Sequence, residues 1–494
     1  MNYISTRNKN NKVPPSKAIL DGIAADGGLY VPESFPLFTD SDFEGMAEMP
    51  YPERLATVLS RFLTDFTYQE LLDYATAADA KFDGDSCPLV KVDDDVYIIE
   101  LFHGPTSAFK DMALSVMPYL MKAAKDKLNE KNKTLILVAT SGDTGKAALE
   151  GFKDADGIDI MVFYPFDGVS GIQKAQMTTT EGNNVCVTAV KGNFDDAQTA
   201  VKNIFGDKEF GEKLLNKGIA LSSANSINIG RLIPQIAYYI SAYVDLLGAG
   251  ETEKGEAVNF VVPTGNFGNI LAAYYAKKSG LPINKLICAS NKNNILTDFF
   301  SAGEYDTDRT FYKTASPSMD ILVSSNLERL LFDVSGGDDK MISSLMKDLK
   351  QNGKFSVSHS MLAALDSLIA AGYAEEKETT LTIENFYNSY EYLLDPHTAV
   401  AVSVYENYIN SCSDDAKTVI VSTASPYKFA VDVYYALTST RVTDHFNALK
   451  KLNAYTGLDI PDGLQDLDLK TPRFNGVVKK DEIKDAVRQF VSEK

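Results

Sequence analysis

The stretch LFHGPTSAFKD, from Leu101 to Asp111, joins a predicted buried strand to a predicted helix. It follows the apolar run Val96–Leu101, and Gly104-Pro105 is a turn signal ahead of the helical apolar spacing of Met112–Met121. Loops at the carboxyl ends of strands carry the chemistry of α/β folds, so Lys110 lies where a functional side chain is expected. Lysine forms Schiff bases with carbonyl substrates or with pyridoxal phosphate (PLP). Taken alone, the stretch also fits a solvated surface lysine.

Outward from this stretch, strand, loop and helix alternate from about residue 90 to residue 440. The strongest strand signal is Thr134–Thr140, and repeated units of this size predict a mainly parallel sheet covered on both faces. Residues 1 to about 90 instead carry helical spacing and form a separate predicted unit. Further strands are expected at Ile158–Phe163, Val185–Val190, Ile219–Ser222, Val258–Val262, Leu286–Ala289 and Thr418–Val421. Helices are expected at Ile19–Ala24, Asp196–Phe205, Ile229–Leu247, Ile270–Lys278, His397–Ile409, Phe429–Ser439 and Ile483–Phe490.

The composition is that of a soluble globular protein of about two to four domains. The chain has 494 residues, 45% of them hydrophobic, and a formal net charge of −19, which argues against a nucleic-acid or membrane partner. The four cysteines are isolated, and the four histidines form no ligand pair, so neither a disulfide framework nor a metal site is predicted. The polar N-terminus lacks the apolar core of a signal peptide, and we expect a cytoplasmic protein.

Four other strand-to-helix loops are suited to binding anions or a cofactor. Ser141–Gly145 offers free N–H groups and hydroxyls at a helix start. It does not match a nucleotide-binding P-loop. Thr140 stands in place of the first glycine, and Ala147 stands in place of the residue whose hydroxyl binds magnesium. Pro263–Asn269 has two glycines that let successive N–H groups face one phosphate.

In the third loop, Asn225, Asn228 and Arg231 are spaced to share one helix face, where the arginine can bind a phosphate or carboxylate. In the fourth, Ser422–Pro426, a hydroxyl can bond a ring nitrogen or simply cap a helix. Each loop also has an ordinary structural interpretation. Together with Lys110, however, they indicate a PLP enzyme that acts on an anionic amino acid.

Several segments also resemble threonine synthases, which are fold-type II PLP enzymes of the tryptophan synthase β class. The resemblance runs in order from near the N-terminus to about residue 430. The segments that carry it are Asp26–Pro32, His103–Thr106, Phe109–Asp111, Ala139–Gly145, Gln176–Thr179, Asn225–Asn228 with Arg231, Gly265–Gly268, Met319-Asp320 and Pro396–Ala399.

The resemblance implies an α/β fold of two mainly parallel-sheet subdomains with PLP in the cleft between them, preceded by a mainly helical N-terminal domain. The implied boundaries are an N-terminal domain at 1–92, a catalytic region at 93–440 and a C-terminal segment at 441–494 that packs on it. A smaller, mobile subdomain is expected roughly within residues 130–240.

It also implies the roles of individual residues. Lys110 would hold PLP as a Schiff base, and Thr423 would face the pyridine nitrogen. Asn269 and Ser425 depart from the family, whose members often have an acid and a histidine at these positions. The loop that would wrap the cofactor phosphate is Gly265, Asn266, Phe267, Gly268 and Asn269. Candidates for binding the substrate's carboxylate and phosphate are Ser141, Asp143, Thr144, Asn225, Ser226, Asn228 and Arg231.

The implied activity is the conversion of O-phospho-L-homoserine and water to L-threonine and phosphate, the last step of threonine biosynthesis, by a monomer or homodimer. Three alternatives remain open from the sequence. They are another fold-type II enzyme such as a β-replacing synthase or a serine/threonine dehydratase, a non-catalytic binding protein with this fold, and a P-loop kinase or phosphatase.

Overall fold

Two parallel sheets form the framework of the protein, in a computed structural model that describes residues 1–493. The larger sheet has six strands, and its edge strand Leu89–Asp93 runs antiparallel to its neighbour. The other neighbouring pairs in this sheet are parallel. Its strand order is Ile369–Tyr373, Ile283–Ser290, Val258–Pro263, Thr418–Ser422, Val96–Glu100 and Leu89–Asp93.

The second sheet has five parallel strands and includes a strand from the C-terminal part of the chain. That strand, Val477–Lys479, pairs with Val185–Lys191 at the edge of the sheet, and the helix Ile483–Glu493 follows it. The full strand order is Val477–Lys479, Val185–Lys191, Ile158–Pro165, Lys133–Ala139 and Ile219–Ser222.

Both faces of the sheets are buried, which explains why the strands are apolar without alternation. In the larger sheet, Ile98 and Ile420 face one apolar core, whereas Ile99 and Val421 face another. The fold class predicted from the sequence is confirmed. The helices that cover the sheets or lead into the cleft are Asp111–Leu114, Met117–Lys127, Asp143–Phe152, Gly171–Thr178, Phe194–Gly206, Lys208–Leu215, Ile229–Leu232, Ile236–Gly248, Gly268–Lys278, Ile295–Ala302, Leu327–Val334, Asp339–Asn352, His359–Leu368, Glu376–Tyr390, Pro396–Ser411, Ala430–Thr438 and His445–Thr456.

The N-terminal region contains a small antiparallel sheet that the sequence did not reveal. One of its strands, Asn8–Val13, reads NKNNKV and is largely exposed, so it lacks an apolar signal. The helix expected at Ile19–Ala24 instead spans Pro15–Asp21. Proline stands at its first position, and Gly22, with φ of 72°, ends it. The other strands of this region are Tyr3–Ser5 and Tyr30–Pro32, and its other helices are Asp40–Ala47, Tyr51–Phe62 and Tyr68–Asp79.

Two helices predicted as continuous are interrupted near prolines. The helical run after Lys110 divides into Asp111–Leu114 and Met117–Lys127, with Pro118 in the first turn of the second helix. The run from Ile229 to Gly248 passes through a short 3-10 segment that contains Pro234. Proline lacks the N–H needed inside a helix but suits its first turn, which is the physical reason for each break.

Among residues 1–493, no helix is both long and apolar enough to span a membrane. Within the same residues, no group of three or more His, Cys, Asp or Glu side chains converges as a metal site would require.

Candidate active site

A cavity lies where loops from the carboxyl ends of both sheets meet, the position at which α/β proteins bind ligands. The loops after Val96–Glu100, Val258–Pro263 and Thr418–Ser422 reach it from the larger sheet, and those after Lys133–Ala139 and Ile219–Ser222 from the smaller. The cavity is lined by Phe109, Lys110, Ala139, Thr140, Ser141, Thr144, Phe194, Asn225, Ser226, Arg231, Gln235, Pro263, Thr264, Gly265, Asn266, Phe267, Gly268, Asn269, Ser318, Met319, His397 and Thr423.

Lys110 presents its amine to this cavity from an otherwise buried position. Its side chain lies over the ring of Phe109, with Nζ 4.4 Å from the ring centroid. The Nζ atom is 3.3 Å from Oδ2 of Asp143 and 3.4 Å from Oγ of Ser318. Burial lowers the pKa of Lys110, although Asp143 opposes the effect. A lowered pKa favours the neutral amine that both Schiff-base formation and proton removal need.

The loop that carries Lys110 is fixed on both sides of the lysine. The carboxylate of Asp111 accepts hydrogen bonds from the backbone N–H and the hydroxyl of Thr106, at 2.8 and 2.7 Å. The N–H of Phe109 donates to the carbonyl oxygen of Thr423, 2.9 Å away. Lys110 therefore keeps a defined position relative to Thr423, whose side chain also lines the cavity.

The loop from Gly265 to Asn269 has the shape of an anion cradle. Phe267 adopts a left-handed conformation with φ of 61°, and the helix Gly268–Lys278 begins directly after it. A Cβ on Gly265 would lie 2.6 Å from the carbonyl oxygen of Ser318, so only glycine fits there. The residues of this loop line the cavity at the start of a helix, where free N–H groups and the positive end of the helix dipole favour an anion.

An unsatisfied donor in the same loop points to an anionic ligand. The side-chain oxygen of Asn269 accepts hydrogen bonds from the hydroxyls of Tyr238 and Tyr239, but its buried Nδ2 has no partner among the described residues. Buried donors are nearly always paired, so a free one beside a helix start fits the phosphate of PLP. An ionised acid at this position would repel that phosphate, whereas an amide can donate to it.

Arg231, which also lines the cavity, is suited to binding a second anion. It is 4% exposed, and its guanidinium donates to the carbonyl oxygen of Ala224 at 3.1 Å and to Oγ1 of Thr144 at 3.2 Å. Its Nε is buried without a partner. Burial lowers the pKa of Arg231 to about 10, which still leaves it charged at neutral pH. A charged, incompletely paired arginine in a cavity suits a phosphate or a carboxylate.

The structure brings most of the predicted site residues together, with two exceptions. The side chains of Asn228 and Asp143 do not line the cavity. The amide of Asn228 donates to the carbonyl oxygens of Ile19 and Ser223 and accepts from the N–H of Gly230, so it joins the N-terminal domain to a helix start. The side chain of Asn228 is thus occupied by internal hydrogen bonds.

Asp143 is buried just outside the cavity lining, and several hydrogen-bond donors contact its carboxylate. Its Oδ1 is 2.8 Å from Nζ of Lys428 and accepts a 2.8 Å hydrogen bond from Gln173, and its Oδ2 accepts one from Ser318 at 3.0 Å. Burial raises the pKa of Asp143, but Lys428 and Lys110 outweigh burial and hold it well below its ordinary value. The carboxylate is therefore a fixed negative charge beside Lys110.

Four residues around Asp143 and the cavity have no role predicted from the sequence: Ser318, His397, Gln173 and Lys428. His397 lies in the segment Pro396–Ala399 that carries the resemblance, whereas Ser318 only precedes Met319-Asp320. In the structure, Nε2 of His397 accepts a 3.2 Å hydrogen bond from the N–H of Ser318, while its Nδ1 lies 2.7 Å from Asp395. Lys428 had no local signal, because a lysine after a proline turn is ordinarily a surface residue.

Comparison with known proteins agrees with this geometry. The sequence matches the family models "Threonine synthase N terminus" at residues 2–78, "Pyridoxal-phosphate dependent enzyme" at 88–424 and "Threonine synthase, C-terminal" at 398–491. It is 39% identical to threonine synthase-like 1 of Homo sapiens over 457 residues, which are 90% of this chain but only 61% of that protein. It is 40% identical to the threonine synthase of Pseudomonas aeruginosa, over 87% of this chain and 89% of that enzyme.

A solved structure of PLP-bound threonine synthase from Brucella melitensis superposes with a TM-score of 0.86 at 38% identity, covering 99% of both chains. The fold and the residues around the cavity thus define the class of pyridoxal-phosphate-dependent enzymes. Within that class, the chain belongs to the threonine synthase family.

Proposed function

We propose that the protein is a threonine synthase that converts O-phospho-L-homoserine and water to L-threonine and phosphate. The observation that carries this proposal is one cavity lined by Lys110 and by two groups of residues that are suited to binding anions. One group, Gly265 to Asn269, suits the cofactor phosphate. The other, Arg231 with Thr144, suits the phosphate of the substrate. Any PLP enzyme that acts on an amino acid must also bind the substrate carboxylate; Ser141, Asn225 and Ser226 are available for it here, which leaves Arg231 for a phosphate.

Lys110 is proposed to bind PLP covalently and, when released, to act as the base. PLP, when bound, stabilises the negative charge that develops on the carbon skeleton of an amino acid as protons are removed. The amine of Lys110 takes the proton from the α carbon, and burial, which lowers its pKa, favours the neutral form that can do so. Its place over the Phe109 ring and beside Ser318 limits the directions from which it can reach the substrate.

Arg231 and Thr144 are proposed to hold the γ phosphate and to stabilise it as it leaves. Negative charge accumulates on the phosphate oxygens during elimination, and a fixed cation stabilises that charge without reorganisation. Ser141, Asn225 and Ser226, on neighbouring parts of the wall, are left to bind the substrate carboxylate. Asp143 is unsuited to touching either anion, because its charge would repel both.

We also propose the domain division of the chain at residues 1–92, 93–440 and 441–494, with a mobile subdomain roughly within 130–240. Ser141, Thr144, Asn225 and Arg231 lie in or beside that subdomain, so its closure would bring them toward Lys110 and exclude water. Hydrogen exchange with and without substrate tests the idea. If substrate slows exchange only in residues 130–240, the result supports closure of the subdomain. If substrate changes exchange evenly along the chain, the result contradicts it.

Turnover assays test the proposed reaction directly. With O-phospho-L-homoserine, the purified protein loaded with PLP should release phosphate and form threonine in equal amounts. A serine/threonine dehydratase would instead release ammonia from threonine or serine. Ammonia release without phosphate release would overturn the proposal, and absence of both reactions would favour a non-catalytic role.

A cytoplasmic location and a monomeric or homodimeric state without nucleic acid complete the proposal. No disulfide joins the four cysteines, all of which the structure describes, as expected of a reducing compartment, and the net charge of −19 disfavours binding to nucleic acids. Light scattering after size exclusion gives the oligomeric state, and cell fractionation gives the location.

A further inference from the structure

Two buried lysines share one buried carboxylate beneath the cavity. The carboxylate belongs to Asp143, which is 1% exposed, and the lysines are Lys110 and Lys428, which are 7% and 0% exposed. Oδ1 of Asp143 lies 2.8 Å from Lys428 Nζ, and Oδ2 lies 3.3 Å from Lys110 Nζ. One negative charge thus faces two amines that are both protonated in water at neutral pH.

The two ion pairs are unequal, and Lys428 is the better partner. Its amine also donates to the carbonyl oxygen of Thr106 at 2.8 Å, so it is held in place on a second side. Lys110 has a longer contact with Asp143 and only a 3.4 Å contact with Ser318 beside it. Buried ion pairs are favourable when their bonds are short and their remaining donors are satisfied, which describes Lys428 and not Lys110.

We propose that Lys428 is a positioning residue: by taking the carboxylate of Asp143 as its ion-pair partner, it leaves the amine of Lys110 neutral and able to react. The inference deepens the proposed function and rests on it, because that function needs Lys110 to accept a proton from the substrate. Without Lys428, Asp143 would pair with Lys110 alone and would stabilise its protonated form.

The charged groups around Lys110 support this assignment. Burial is the largest cause that lowers the pKa of Lys110, and Lys428 and Arg231 lower it further, whereas Asp143 raises it. Arg231 approaches from the helix Ile229–Leu232 and cannot replace Lys428, because it does not pair with the carboxylate.

Two further titratable groups lie nearby. His397, on the helix Pro396–Ser411, acts on Asp143 and helps to keep the pKa of that carboxyl low. Asp111, next to Lys110 in the chain, bonds to Thr106, and burial raises the pKa of Asp111 to about 6. Neither group forms an ion pair with Lys110 in the structure.

The test measures the reactivity of Lys110 rather than turnover. The full-length chain, freed of PLP, is acylated with acetic anhydride at a series of pH values, and the modification of the Lys110 peptide is quantified by mass spectrometry. Lys213, whose side chain is 64% exposed, provides an internal reference in the same sample. The variants are Lys428→Met, Lys428→Arg, Asp143→Asn and the double variant Lys428→Met/Asp143→Asn.

The proposal predicts a specific order of labelling midpoints. Lys428→Met should raise the midpoint for Lys110 by about one pH unit, which lowers its labelling about tenfold at pH values below both midpoints. Asp143→Asn should lower the midpoint, because the attracting charge is gone while the two cations remain. The double variant and Lys428→Arg should stay close to the wild-type midpoint.

A purely structural role for Lys428 would not produce this order. The proposal is overturned if Lys428→Met, folded by circular dichroism, keeps the wild-type midpoint, or if the double variant shifts as far as the single one. Should Lys428→Met fail to fold, Asp143→Asn decides, since an unchanged or raised midpoint there contradicts the proposal. Labelling needs no substrate, so this outcome is independent of which reaction the enzyme catalyses.

Discussion

A Cβ added to Gly265 would lie 2.6 Å from the carbonyl oxygen of Ser318, closer than carbon and oxygen can approach without movement. Gly265→Ala should therefore push the loop out of its cradle shape, at a cost of about 1–3 kcal/mol, and weaken PLP binding about tenfold to a hundredfold. Absorbance titration with PLP measures the affinity.

Gly211→Ala is the matched control for this change. Gly211 lies in the helix Lys208–Leu215 with nothing within 4 Å of an added Cβ, so alanine should stabilise the protein by about 0.5–1 kcal/mol and leave PLP affinity alone. Wild-type PLP affinity in Gly265→Ala would show that the loop does not bind the cofactor phosphate closely.

Arg231 should matter to the substrate and not to the cofactor. Arg231→Met removes a charged partner of the substrate phosphate, a loss of about 1.5–3 kcal/mol, so kcat/KM should fall about tenfold or more while PLP affinity stays unchanged. Arg61→Met, at a side chain that is 44% exposed and paired with Asp42, is the control and should change neither quantity. If Arg231→Met lost PLP affinity to the same extent, Arg231 would bind the cofactor and not the substrate.

Individual site residues can be predicted from the sequence when the residues around them carry a clear local pattern. Lys110, Gly265 and Thr423 stand directly after strong strand signals, so their meeting follows from a parallel sheet. Lys428 and Gln173 could not be assigned, because their roles come from contacts with Asp143 made only after folding.

The start of the helix Gly171–Thr178 has two roles: it caps the helix, and it holds a residue next to the site. Gln173 and Ser170 form a capping box there, and the amide of Gln173 also donates to Asp143. Glu70 occupies the equivalent position in the capping box that begins Tyr68–Asp79, far from the cavity.

This pair of capping boxes separates stability from function. Gln173→Ala and Glu70→Ala each lose a hydrogen bond to a backbone N–H and should lower the free energy of unfolding by about 1 kcal/mol. Only Gln173→Ala should also lower kcat/KM, by about tenfold, because Asp143 loses a charge-assisted bond. Denaturant unfolding and steady-state kinetics measure the two effects. Equal kinetics in both variants would mean that Gln173 only caps its helix.

The helices and strands of the catalytic region were predictable where apolar runs are long, as in Lys133–Ala139. They were less predictable where proline interrupts a helix, as at Pro118, because helical spacing continues across the break. The strand Asn8–Val13 was missed because its polar, exposed side chains carry no pattern and its partners alone make it a strand.

For the whole molecule, the C-terminal segment completes the smaller sheet. Val477–Lys479 covers the edge strand Val185–Lys191, and Arg473 donates to the carbonyl oxygens of Thr180 and Gly182. Ile483 and Val487 are buried in a core that includes residues of that sheet. The smaller sheet therefore depends on residues distant in sequence, which no local pattern could predict.

A chain that ends at residue 471 tests this dependence. It should expose the edge of Val185–Lys191, so hydrogen exchange there should quicken and the protein should aggregate more readily. Exchange in Val258–Pro263, in the middle of the larger sheet, serves as the internal control and should stay slow. Unchanged exchange in Val185–Lys191 would show that the C-terminal segment does not protect this strand.

The most direct measurement is to reduce the PLP-loaded protein with borohydride and to map the modified lysine by mass spectrometry. We expect the cofactor on the peptide containing Lys110, and Lys110→Ala should lose both this label and the visible absorption of the bound cofactor. A label on another lysine, or threonine formation by Lys110→Ala, would contradict the assignment of Lys110.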